Sequence, residues 1–127
     1  MAYQQYNPNP RGRNVGDCSV RAIAKALNLS WEDAYAQLTA VGYTLGDMPS
    51  ADAIWGTVLR QHHYIRGMIP NSCPDCYTAE DFCQDHPRGT FVLAFGGHVA
   101  TVVDGILYDS WDSSMEIPQY YWYRKDL

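Results

Sequence analysis

Cys18, His98 and Asp109 are residues whose types and order suit covalent chemistry. A thiol attacks as its thiolate. A helix N-terminus stabilises that anion through unpaired N–H groups and the macrodipole, and a nearby imidazolium stabilises it further. A third group must hold the imidazole in the right tautomer and orientation. Cys18 stands in the stretch NVGDCSVRAIAKAL, at the head of an amphipathic helix. Val20, Ile23, Ala24 and Leu27 fall at i, i+3, i+4 and i+7 there, and Asp17 is the expected N-cap. Taken alone, the stretch also fits a packed structural thiol, the commoner fate of a buried Cys.

The elements that must position these residues follow from the patterning. Ser30, three residues before Asp33, opens a second helix over SWEDAYAQL. Ser50 is the expected cap of a third, with Ile54, Trp55, Val58 and Leu59 as its apolar stripe. Thr78 with Asp81 opens a short fourth helix that Pro87 stops. Period-two segments come next: TFVLAFG, HVATVVD and ILYDSW, then YYWYRK as an expected edge strand. His62 and His63 read as the tail of the third helix. Helices first and strands afterwards predict an α+β domain with N-terminal helices packed on a C-terminal antiparallel sheet.

The Asp104-Gly105 pair supplies a geometric test. As a two-residue hairpin loop it pairs Val103 with Ile106, which places Ala100 opposite Asp109 and His98 opposite Trp111. His98 and Asp109 then share a face as diagonal neighbours, roughly 7–8 Å apart along the backbone and within side-chain reach. Asp104 has the same parity as His98 but sits at the far end of the strand, where the turn accounts for it. The Gly96-Gly97 pair before His98 suggests close backbone approach, as a substrate cleft would need.

The other cysteines raise a second possibility. Cys73, Cys76, Cys83 and His86 form C-x2-C-x6-C-x2-H, four soft ligands suited to a structural zinc. The competing reading is accidental spacing, with Cys83 in the core and His86 at a helix end. The chain has 127 residues and reads as one domain, 1–127, with a polar arm over 1–13. A formal net charge of -5 argues against a nucleic-acid or anionic-membrane partner. No stretch approaches the ~18 apolar residues of a membrane span, and the N-terminus carries no secretory h-region. A cytoplasmic protein with four reduced thiols is therefore expected.

The order Cys, His, Asp, with the Cys opening the first core helix, resembles the papain-like cysteine peptidases. Asp109-Ser110-Trp111 is similar to the Asn-Ser-Trp of that superfamily, in which Trp screens the His pair. GDCSVRAIAKAL together with GGHVATVVDGILYDSWD looks like small papain-fold proteins of bacteria and phages, related to the C39-like peptidases. The resemblance implies a papain-like fold and a peptide or protein substrate. It also implies a thiol protease needing no cofactor, with Cys18 as nucleophile, His98 as base and acid, Asp109 as orienter and Trp111 in support. The family pattern has a Gln before the Cys where this chain has Gly12. Asn14 is the nearest amide donor for an oxyanion, alongside the Cys18 N–H. The same apparatus serves isopeptidase, deamidase and transglutaminase chemistry, and the fold also occurs as a binding module.

Overall fold

The computed structural model describes residues 2–69 and 76–124. These include four helices, α1 (Cys18–Leu27), α2 (Trp31–Leu45), α3 (Asp52–Gln61) and α4 (Ala79–Asp85). They also include six strands: β1 (Tyr3–Gln5), β2 (Tyr64–Met68), β3 (Thr90–Phe95), β4 (His98–Val103), β5 (Ile106–Asp109) and β6 (Tyr120–Arg124). The strands form one sheet in the order β1-β5-β4-β3-β6-β2. The class is α+β, but the sheet is mixed rather than antiparallel, because β1 of the polar arm runs parallel to β5. Nor is the sheet confined to the C-terminal half, since β2 follows α3 and pairs with β6.

Local chemistry sets the helix ends. The α1 helix stops at Asn28, whose left-handed conformation turns the chain. Ser30 caps α2 by accepting from the Asp33 N–H at 3.0 Å, and Gly46 ends the helix well beyond the expected Leu38. The cap position of α3 is Ala51 rather than Ser50, with no side-chain bond. At α4 the capping box is complete, with Thr78 and Asp81 exchanging two 3.1 Å bonds.

Strand alternation then decides the layers. Val92, Ala94, Val99 and Trp122 pack with Ile23, Leu38, Ile54 and Val58 of α1–α3 on one face. Leu93, Phe95, Ala100, Val102 and Leu107 pack with Phe82 and Cys83 of α4 on the other. The helices thus cover both faces of the sheet. Two buried hydroxyls tie α1 to the sheet: Thr101 donates to the Ala22 carbonyl at 2.8 Å and Tyr64 to that of Ala26 at 3.0 Å. The aromatic tail is an interior strand and not the expected edge, because β2 lies outside it. Gly67 permits that pairing, since a Cβ there would sit 2.6 Å from the Tyr121 ring.

The β4–β5 hairpin has the expected register, Val103 opposite Ile106 and Thr101 opposite Tyr108. Asp104 and Gly105 both have positive φ, 50° and 78°, as a type I′ turn requires. The Asp104 carboxylate accepts the Gly89 N–H at 2.9 Å and so belongs to the turn.

Candidate active site

Three element ends converge here. Cys18 is the first residue of α1, His98 the first of β4 and Asp109 the last of β5. Strand parity alone would send His98 and Asp109 to the α4 face, with Ala100 and Leu107. Both lie beyond the last β4–β5 pair, however, and both interact with α1: His98 with the Cys18 thiol, Asp109 with Arg21. Gly97, at φ 78°, reverses the chain immediately before His98. The imidazole is flanked by Phe95 and by Trp111, with ring centroids 5.8 and 5.0 Å away. Trp111 itself is 45% exposed.

Asp109 is 1% exposed, and both carboxylate oxygens are fully engaged. Oδ2 accepts from His98 Nε2 at 2.6 Å and from Ser113 Oγ at 2.6 Å. Oδ1 accepts from the Ser110 N–H at 2.8 Å and faces Arg21 Nη2 at 3.3 Å. Because an ionised carboxylate only accepts, Nε2 carries the proton. That leaves Nδ1 as the ring nitrogen able to exchange a proton with the thiol.

The electrostatics follow from these contacts. Burial pushes the Cys18 thiol up, but bonds to the His98 ring and the Val99 backbone, with the charges of His98 and Arg21, outweigh it. The net result lies below the ordinary thiol value, the direction a nucleophile needs. Burial alone would lower His98; the bonds to Asp109 and Cys18 instead raise it to about 9. Burial likewise raises Asp109, and the bonds from His98, Ser113 and the Ser110 N–H bring it below the usual carboxylate value.

Arg21 and Asp17 complete the site, and sequence reasoning missed the role of both. Arg21 is 5% exposed and Asp17 7%, and they form an i, i+4 ion pair. The Asp17 carboxylate also accepts from Trp31 Nε1 at 2.9 Å. Asp17 occupies the N-cap position but makes no side-chain cap bond, contrary to expectation, because its carboxylate is turned to Arg21 and Trp31. Its charge, adjacent to the thiol, is therefore compensated. The available signal was an Arg four residues after Asp17, one helical turn on, within the α1 segment CSVRAIAKAL.

Asn14 is exposed in the loop before α1, and its side chain makes no hydrogen bond among the described residues. A groove of about 720 Å³ runs beside the α1 N-terminus, between the entry arm and α2; Arg11, Arg13, Ser19, Trp31 and Tyr35 are among its walls.

Of the expected zinc ligands, Cys73 lies outside the described residues. Cys76 is disulfide-bonded, which corrects the expectation of four reduced thiols. Cys83 is buried against Phe82 and the sheet, and burial pushes its thiol up to about 12. His86 stacks on Phe82 at 3.9 Å and its Nδ1 lies 2.9 Å from the Phe82 carbonyl oxygen. Among the described residues, no three His, Cys, Asp or Glu side chains are grouped to hold a metal ion. His62 ends α3 and meets Gln37 at 3.0 Å. No helix among the described residues is long and apolar enough to cross a membrane.

Comparison with protein-family models, with curated proteins and with solved structures returns no match.

Proposed function

We propose that the chain is a papain-like cysteine hydrolase that cleaves peptide or other amide bonds through a thioester. The observation that carries this reading is one imidazole that bonds buried Asp109 through Nε2 and also lowers the Cys18 thiol. A structural thiol has no need of a neighbouring imidazole oriented by a carboxylate. Cys83 is the internal contrast, a buried thiol pushed up to about 12 with no imidazole bond among the causes.

Each residue then has a step. The Cys18 thiolate attacks the carbonyl carbon and forms the C–S bond, and the oxyanion is met by the Cys18 N–H and Asn14. The first-turn N–H groups of α1 have no intrahelical acceptors, and Asp17 does not cap them. His98 Nδ1 gives its proton to the leaving amine as the C–N bond breaks. It then takes a proton from water, which attacks the thioester, releases the acid and restores the thiol. Asp109 keeps the ring aligned throughout, while Trp111 limits access of bulk water to it. The groove along the α1 N-terminus is lined by Asp17 and Ser19, the chain neighbours of Cys18, and not by Cys18, His98 or Asp109.

Incubation with a peptidyl vinyl sulfone, followed by peptide mapping, tests the reading. One adduct on the peptide containing Cys18, absent in His98→Ala, is expected; a chain that forms no adduct would contradict it. Adding hydroxylamine to reactions with amide substrates separates acyl transfer from hydrolysis, because a thioester yields a hydroxamate.

A further inference from the structure

Arg21 is a buried cation that the steps above leave unused. Its Nη1 pairs with Asp17, and its Nη2 lies 3.3 Å from Asp109 Oδ1, the oxygen that His98 does not touch. The site is therefore a chain of groups with alternating charge: Cys18 thiolate, His98 imidazolium, Asp109, Arg21, Asp17. We propose that Arg21, anchored by Asp17, is a positioning residue that shares the Asp109 carboxylate with His98 and so sets the pH window of the Cys18–His98 pair. This inference rests on the reading of Cys18 as the nucleophile.

A carboxylate committed to the imidazole alone would hold the imidazolium so firmly that its proton would pass reluctantly to a leaving amine. A guanidinium on the opposite oxygen opposes that hold without displacing the ring. It also lies three residues beyond Cys18 on α1, where its charge favours the thiolate. Asp17 acts on Arg21 in the opposite sense, and the Trp31 indole fixes Asp17 in turn.

The other charged or titratable groups around the network leave the assignment intact. From the arm, Tyr3 and Tyr6 have phenols that burial pushes above their ordinary value, so both stay neutral through the relevant range. From α1, Lys25 is held over the Tyr6 and Tyr108 rings, at 5.3 and 3.9 Å. Asp112, in the loop after β5, adds a carboxylate near Tyr3.

The test is the pH dependence of Cys18 alkylation by iodoacetamide in the full chain, measured from about pH 4 to 10. Arg21→Gln is expected to move both limbs of the profile upward by on the order of one pH unit. Asp17→Asn, whose amide oxygen can still accept from Trp31, should move both limbs downward. Arg21→Lys, which keeps the charge but not the planar fork, should restore most of the limb positions while leaving the maximal rate reduced. Folded variants with lower rates but unmoved limbs would reduce Arg21 to a structural role, as would limbs moving the wrong way. If Arg21→Gln does not fold, Asp17→Asn decides the question by its sign. A wild-type chain in which Cys18 reacts no faster than Cys83 would instead overturn the nucleophile reading itself, so the two failures are distinct.

Discussion

Arg21 and His98 hold opposite oxygens of one buried carboxylate, Oδ1 and Oδ2 of Asp109. Every lone-pair direction of that carboxylate faces a donor, so an amide in its place must turn an NH2 group toward at least one of them. Asp109→Asn is accordingly expected to slow Cys18 inactivation by ~10²-fold or more, through loss of ring alignment. It should also destabilise the fold by about 3–5 kcal/mol, because Arg21 keeps its burial and loses one partner. Inactivation kinetics and urea unfolding of the same variant read the two effects separately. An Asn variant as reactive as the parent would show that an amide suffices to align the ring, and an equally reactive Asp109→Ala would remove Asp109 from the mechanism.

Ser113 supplies the second donor to the oxygen that His98 uses, from a fully buried position. Ser113→Ala should cost about 1 kcal/mol of stability for the lost bond. The carboxylate should titrate higher, and the inactivation rate should fall by a few-fold. Unchanged kinetics with reduced stability would confine Ser113 to a folding role.

The raised His98 value has a consequence for stability that is cleanest without the thiol. In Cys18→Ala, Asp109 is the partner that still favours the imidazolium. A folded value above the unfolded 6.5 means that the stabilisation is fully present below about 6.5. It is lost as pH rises through the folded value, which is about 9 in the intact site and lower without Cys18. Melting temperatures in this background should therefore fall across that window, and His98→Phe should flatten the decline. A decline that persists in the Phe variant would have to come from another group.

Thr101 joins α1, which carries Cys18, to the strand that carries His98, through the Ala22 carbonyl. Thr101→Val keeps the shape and loses the hydroxyl. A stability loss of about 1 kcal/mol is expected, with Cys18 reactivity kept within about twofold. A much larger fall in reactivity would mean that this tie sets the alignment of Cys18 and His98.

How much of this was legible in the sequence differs by element. The α1 stripe, the Thr78–Asp81 capping box and the Asp104-Gly105 turn are local signals, and each forms as read. The turn carried the most information, because its loop length gives His98 and Asp109 the same parity, although their contact with α1 forms beyond the last β4–β5 pair. What remained hidden depends on long-range partners. Tyr3–Gln5 and Tyr64–Met68 lack a run of alternating apolar residues; they become strands because β5 and β6 offer open edges. Because the β2 segment carries no strand pattern, β6 reads as an edge from the sequence, whereas it lies between β3 and β2. Asp17 read as a cap because caps are local, whereas its actual partners, Arg21 and Trp31, are brought to it by the turn of α1 and by α2 packing. The sharing of Asp109 by Arg21 joins residues far apart in the chain, and no local pattern announces it.

The most direct test of the central claim compares two thiols in one sample. Native protein is treated with limiting iodoacetamide near pH 6, and labelling of Cys18 and Cys83 is followed by peptide mapping. The expected result is labelling of Cys18 faster than Cys83 by ~10²-fold or more, since one thiol is lowered by its imidazole and the other is raised by burial. His98→Ala should shrink the difference by slowing Cys18 alone, leaving Cys83 unchanged. Equal, slow labelling of both thiols in the wild-type chain would contradict the assignment of Cys18 as a nucleophile.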